Sequence, residues 1–116
     1  MSEVVKKMSS ASGLDGKRIK DELGREIVLR KPDIMDRFHL MKALGADSSN
    51  QAIVGMMIPT IYVAAIDSVP FPTAHTYIEA QGNLKRLGDE GSLVVSEEIN
   101  KYFESREEES KNTIKK

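Results

Sequence analysis

The chain has 116 residues, no cysteine and no tryptophan, with 17 Lys and Arg against 18 Asp and Glu. This length fits one domain. The lack of cysteine excludes a disulfide scaffold and a thiolate metal site. A net charge of −1 provides no overall attraction to nucleic acid or to an anionic membrane. The charge is nevertheless uneven: residues 1–31 hold eight basic and five acidic side chains, residues 32–88 four and five, and residues 89–116 five and eight. We expect a soluble intracellular protein with a basic first end and an acidic last end.

The first 31 residues predict a flexible tail followed by a β-hairpin. Residues 1–16 are rich in serine and lack a sustained hydrophobic period, which is typical of a mobile tail. Residues 17–31 favour a hairpin. Ile27 and Leu29 occupy every second position of its second arm, which is the period of a strand with one buried face, and Gly24 suits a tight turn. A lone hairpin is marginal in water, so we expect it to pack on helices or to pair with another strand.

A helix is predicted next, over residues 33–44. Asp33 suits its N-cap, and Gly45 occupies the position of a helix-terminating glycine. Its predicted core-facing stripe consists of Ile34, Phe38, Leu40, Met41 and Leu44. Arg37 projects within this stripe and is interpreted as a cation that reaches the solvent along its own aliphatic stem.

Residues 48–66 carry no charged side chain and predict a second, largely buried helix. Ser48 or Ser49 would cap it, and Pro59 would kink it because a proline removes one helical hydrogen bond. Its apolar stretch is too short for a membrane span, which needs about 20 residues.

Two further helices are predicted over 76–88 and 89–106. Thr76 and Glu79 have the spacing of a capping box, and Gly88 separates the two helices. Residues 107–116 lack an apolar stripe and predict a charged, flexible tail. The predicted fold is therefore α+β and mainly α: one globular domain over 17–106, with an N-terminal hairpin and about four helices around a single core.

The sequence contains no recognisable catalytic, metal or cofactor motif. His39 and His75 are 36 positions apart and lack the helical spacing of a metal site, and no phosphate-binding glycine loop or nucleophile elbow occurs. We therefore expect neither an enzyme nor a cofactor-binding protein.

The apolar residues of the middle of the chain predict a protein-binding surface. Met56, Met57, Tyr62 and Phe71 are the candidate contacts to a partner or to a second copy of the chain, with the hairpin edge at Ile27 and Leu29 as a second surface. The alternative that residues 48–66 simply form the central core helix stays open.

Three runs occur in order: LGREIVLRKPDIMDRFHLMKALG at 23–45, YVAAIDSVPFP at 62–72 and LKRLGDEG at 84–91. Together they resemble the small tail assembly chaperones of long-tailed bacteriophages. The resemblance implies a protein of the host cytoplasm that binds the tape measure protein and tail tube subunits during tail assembly and is absent from the finished virion. Ser68 departs from the small turn residue, such as glycine, expected after Asp67, and residues 107–116 do not align with the family.

Two other functions remain open from the sequence. A small regulator could bind nucleic acid through the basic side chains of the hairpin, although acidic residues are interleaved with them and no aromatic residue is available for base stacking. A structural tail or head–tail joining protein would share the size of such a chaperone. No membrane partner is expected.

Overall fold

The computed structural model describes the backbone of residues 13–114 and the side chains of residues 13–107. Four short strands and three α-helices make up the described part. In chain order they are β1 (Arg18–Lys20), β2 (Glu26–Leu29), α1 (Ile34–Leu44), α2 (Gln51–Met57), β3 (Val63–Ile66), β4 (Val69–Pro70) and α3 (Tyr77–Ile114). Two 3₁₀ turns, Gly45–Ser49 and Ile58–Tyr62, flank α2. The fold is thus mixed α and β, with a larger sheet than predicted and with three α-helical segments where about four helices were predicted.

The four strands form one antiparallel sheet in the order β1-β2-β3-β4, with α1 and α2 inserted between β2 and β3. The predicted hairpin is confirmed, and Gly24 has a φ of 80° in its turn. Strand β2 also pairs with β3, where Ile27 lies opposite Ile66. The hairpin therefore gains the second strand partner that its marginal stability requires.

The predicted helix over 48–66 is wrong. Asn50, rather than Ser48 or Ser49, caps a short helix by accepting hydrogen bonds from the amides of Ala52 and Ile53 at 3.1 and 3.3 Å. Pro59 does not kink a continuing helix, because α2 ends at Met57 and a 3₁₀ turn follows. The chain then becomes strand β3, because β2 offers it a hydrogen-bonding edge.

The helical segment α3 is broken at Gly88, whose φ of 73° and ψ of 179° are not helical. The predicted boundary between two helices is therefore confirmed. Thr76 caps the first of them by accepting from the Glu79 amide at 3.1 Å, whereas the Glu79 carboxylate reaches the His75 amide at 2.8 Å instead of closing the predicted box on Thr76. Helix α3 continues to Ile114, so its predicted end at residue 106 is wrong.

One cluster of buried side chains joins the sheet to the helices. Its buried members are Leu14, Ile27, Leu29, Leu40, Leu44, Met57, Ile61, Tyr62, Val63, Ile66, Phe71, Ala74, Ala80, Leu87, Val95 and Tyr102. The burial of Leu14 shows that the predicted tail over 1–16 is wrong for its last residues, while 1–12 lie outside the described residues. Among the described helices, none is both long and apolar enough to cross a membrane.

Candidate protein-interaction surface

Five of the six residues predicted to contact a partner are buried in the core. Met57, Tyr62, Phe71, Ile27 and Leu29 belong to the central cluster, and Met56 alone is exposed. Residues Ile27 and Leu29 do not lie on a free edge either, because β2 is paired on both sides, with β1 and β3. The expectation that these five form an exposed contact surface is therefore wrong.

A group of exposed apolar side chains lies instead on α1. Ile34, Met35 and Phe38, which we call the α1 patch, are 77%, 50% and 53% exposed. At helical spacing they share the side of α1 that is opposite to the buried Leu40, Ala43 and Leu44. The predicted core-facing stripe of α1 was therefore wrong at Ile34 and Phe38 and correct at Leu40 and Leu44.

The first turn of α1, which carries the patch, is fixed by polar contacts. Asp33 and Asp36 form a capping box, with each carboxylate accepting from the other's backbone amide, at 3.0 and 2.8 Å. Arg30 donates to both oxygens of Asp36 and to the hydroxyl of Thr73. Burial raises the pKa of Asp36, but the hydrogen bonds from Asp33 and Arg30 outweigh it and hold that pKa below its usual value. The patch thus sits on an ordered helical turn.

A groove of about 190 Å³ lies beside the patch, between the start of α1 and the second half of α3. Its apolar and aromatic lining consists of Leu14, Pro32, Tyr62, Tyr102 and Phe103. The Phe103 ring is partly exposed and meets the Tyr102 ring edge-on, with centroids 5.3 Å apart. Arg37 lines the groove and, at i+3, is the helical neighbour of Ile34 in the patch. The two surfaces are therefore adjacent.

Three cations complete the lining of the groove: Lys31, Arg37 and Arg106. Arg106 donates to the hydroxyl of Tyr102 at 3.2 Å, and the Lys31 ammonium lies 5.9 Å from the centre of the same ring. Burial raises the pKa of Tyr102, but its hydrogen bonds with Lys31 and Arg106 and their positive charges outweigh burial and lower it. The groove therefore has an electropositive rim.

Three other basic side chains of the hairpin form ion pairs within the protein. Lys17 pairs with Glu98 at 2.6 Å, Arg18 with Glu26 at 3.1 Å and Arg25 with Asp21 at 2.8 Å. A surface that follows nucleic-acid phosphates needs cations free to neutralise them. These internal pairs lower the capacity of the hairpin for that role.

The fold brings together two residues that the sequence separates. The rings of His39, on α1, and His75, just before α3, contact each other edge-to-face with centroids 4.9 Å apart. Among the described residues, no group of three or more His, Cys, Asp or Glu side chains is placed to hold a metal ion. The long sequence separation of the two histidines left no local signal of this contact.

The chain was compared with protein-family models, with curated proteins and with solved structures. No family model, curated protein or solved structure matches it.

Proposed function

We propose that this chain is a non-catalytic assembly chaperone of a bacteriophage tail that holds apolar segments of its partner proteins on the α1 patch. The observation that carries the proposal is the exposure of Ile34 and Phe38, two large apolar side chains one turn apart on a fixed helix. Such side chains, grouped on one face and exposed to water, are typical of a protein-binding surface.

The chemistry of the patch suits a partner that is itself partly unfolded. A phenylalanine, an isoleucine and a methionine provide apolar contact without fixed polar partners, and methionine adapts its shape to different neighbours. The core face of α1 is held independently by Leu40 and Leu44. Binding at the patch therefore requires no opening of the core.

The resemblance of the three sequence runs to small tail assembly chaperones supplies the identity of the partners. They are the tape measure protein and the tail tube subunits, met in the host cytoplasm before the virion is complete. The partners would bind at the α1 patch rather than at Met57, Tyr62 and Phe71, which are buried.

Coexpression with the tape measure protein of the same phage tests this function. The double variant Ile34→Ser and Phe38→Ser removes the apolar patch and keeps the cap residues Asp33 and Asp36. We expect it to fold normally and to leave most of the tape measure protein insoluble, whereas the unaltered chain keeps it soluble. The matched control is Ile78→Ser with Leu93→Ser, since both side chains are exposed on α3, outside the patch.

Two results would overturn the proposal. One is equal solubility of the tape measure protein with the patch variant and the unaltered chain. The other is recovery of the chain as a stoichiometric component of purified virions, which would favour a structural tail or head–tail joining protein.

A further inference from the structure

We infer that the groove lined by Lys31, Arg37, Tyr102, Phe103 and Arg106 binds an acidic peptide segment that inserts one apolar side chain. This inference concerns a surface other than the α1 patch and does not rest on the proposed function. It follows from the size of the groove, its charge and its aromatic lining.

The size of the groove suits a side chain better than a cofactor. Its volume of about 190 Å³ is below the range of pockets for drug-sized ligands and cofactors, which begins at about 300 Å³. The Phe103 and Tyr102 rings both line it and meet edge to face. Aromatic side chains are common where the binding energy of an interface is concentrated, so they suit the anchoring side chain of a bound segment.

The charge of the groove selects an anionic occupant. Three of its lining residues are cations, and among the residues whose side chains are described no carboxylate lines it. Within the described residues, none of Lys31, Arg37 and Arg106 forms an ion pair. The Asp15 carboxylate accepts from the backbone amide of Lys31 at 3.0 Å. The three cations are thus available to a carboxylate-rich partner.

The cations come from three separate elements and converge on one place. Lys31 follows β2, Arg37 lies on α1 and Arg106 lies in the second half of α3. The lowered pKa of Tyr102 is consistent with this convergence, because a positive surrounding favours the phenolate. A peptide in the groove would therefore meet cations carried by both α1 and α3.

The charge of the chain's own N-terminal segment disfavours it as the occupant. Residues 1–12 precede Leu14, which lines the groove, but they carry two lysines and one glutamate. Like charges would face each other if this segment entered the groove. An acidic segment of another protein fits better.

Fluorescence anisotropy with a labelled peptide tests the inference on the full chain. The probe is an eight-residue peptide of Glu and Asp with one central Phe. Its controls are a peptide with Ser in place of Phe and a peptide with Lys in place of every acid. We expect the acidic Phe peptide alone to bind well, and more weakly as salt is raised. Binding of the Lys peptide with equal affinity would overturn the inference, as would no binding of the acidic peptide up to about 1 mM.

Two pairs of variants locate the site. Arg37→Glu is expected to weaken binding about tenfold or more, since it replaces a charge-assisted contact by repulsion. Its control is Lys42→Glu, which makes the same charge change on the same helix outside the groove. Phe103→Ser is expected to weaken binding, and Leu93→Ser is its control because the two side chains are 48% and 52% exposed on the same helix. Circular dichroism melting confirms that each variant folds.

Three further comparisons test whether the affinity for the peptide comes from the groove itself. Deletion of residues 1–12 should leave the affinity unchanged or raise it slightly. If Arg37→Glu and Lys42→Glu lowered the affinity for the peptide equally, the effect would be one of net charge, and the groove would not be the binding site. Displacement of the peptide by a single-stranded oligonucleotide of equal charge, at equal concentration, would overturn the peptide as the preferred ligand in favour of nucleic acid.

Discussion

The guanidinium of Arg25 donates to the backbone carbonyl oxygen of Leu87 at 2.6 Å, across 62 residues of sequence. Its other terminal nitrogen donates to the carbonyl oxygen of Arg86 at 2.7 Å. These carbonyls come directly before the break at Gly88, where helical hydrogen bonding is interrupted and carbonyls lack helical partners. Asp21 holds the same guanidinium from the hairpin side. The hairpin turn therefore caps the first half of α3.

We predict that Arg25→Ala lowers the free energy of unfolding by about 3 kcal/mol. The substitution leaves the buried carboxylate of Asp21 without its cation and removes the donors to Arg86 and Leu87. Arg25→Lys should cost less, because it keeps the charge but cannot donate from a planar fork to two carbonyls. Urea unfolding followed by circular dichroism measures both.

Arg18→Ala is the control for the loss of a hairpin arginine. Arg18 pairs with Glu26 in a largely exposed position, so its removal should cost no more than about 1 kcal/mol. Equal losses for the Arg18 and Arg25 variants would contradict the capping role.

The carboxylate of Asp21 should also make the stability of the fold depend on pH in the acidic range. Burial raises the pKa of Asp21, but hydrogen bonds from the amide and side chain of Arg25, with its charge, outweigh burial and lower the pKa below its usual value. Because the folded pKa is lower than the unfolded one, the carboxylate stabilises the fold above the unfolded value of about 3.9, and this contribution is lost as the pH falls through the folded value.

The variant Asp21→Asn isolates that contribution. We expect it to be less stable than the unaltered chain at neutral pH, with a difference that shrinks as the pH falls below about 4. Urea unfolding at a series of pH values measures the difference. A difference that stays constant down to about pH 2 would assign the loss to packing rather than to the charge of Asp21.

Local signals in the sequence predicted the elements that local contacts define. The bounds of α1 follow from Asp33 and Gly45, which act within one turn of the helix they delimit. Gly24 and Gly88 likewise mark a turn and a helix break through their own backbone conformation, with φ of 80° and 73°. Such residues carry their structural meaning without knowledge of the rest of the fold.

Strand β3 could not be found in this way. Val63 to Ile66 end a charge-free apolar run, and the hydrophobic period of such a run does not distinguish a buried helix from a strand. What makes these residues a strand is their pairing with β2, more than 30 positions earlier. The sequence therefore indicated burial of the segment correctly and its conformation incorrectly.

The candidate surface was missed for a similar reason. Helix α1 has apolar residues on two sides, with Ile34 and Phe38 on one and Leu40 and Leu44 on the other. Periodicity shows that both sides exist, but which of them is buried depends on how the 3₁₀ turn Ile58–Tyr62 and α3 pack on the helix. That packing is not encoded within α1.

The turn between β3 and β4 predicts a stabilising substitution. Asp67 and Ser68 both have positive φ, 49° and 67°, in a two-residue turn where glycine is favoured at the second position. We expect Ser68→Gly to raise the free energy of unfolding by up to about 1 kcal/mol, because it relieves the left-handed conformation of a residue with a Cβ. Thermal and urea unfolding measure the gain.

Asp67→Gly provides the contrast at the neighbouring position. The Asp67 carboxylate accepts from the Glu26 amide at 2.8 Å and so ties the turn to β2. Losing this hydrogen bond should offset the relief of strain, so this variant should be less stable than Ser68→Gly. The opposite order would show that the tie to Glu26 contributes little.

Two glycines of α3 predict opposite effects of the same substitution. A Cβ at Gly82 would meet nothing within 4 Å on an exposed face of the helix, so Gly82→Ala should stabilise the protein by about 0.5–1 kcal/mol. A Cβ at Gly91 would lie 2.6 Å from Cδ1 of Leu87 and 3.2 Å from Nη2 of Arg25. Leu87 is fully buried and cannot move aside freely, so Gly91→Ala should destabilise by about 1–3 kcal/mol.

The Arg25 variants show whether the Gly91 effect acts through this contact. In the background of Arg25→Ala, the hydrogen bonds to Arg86 and Leu87 are already absent, so Gly91→Ala should cost less than it does in the unaltered chain. A double-mutant cycle by urea unfolding measures this coupling. Full additivity would mean that the clash with Leu87 alone sets the cost, and that the cap and the close approach of Gly91 act independently.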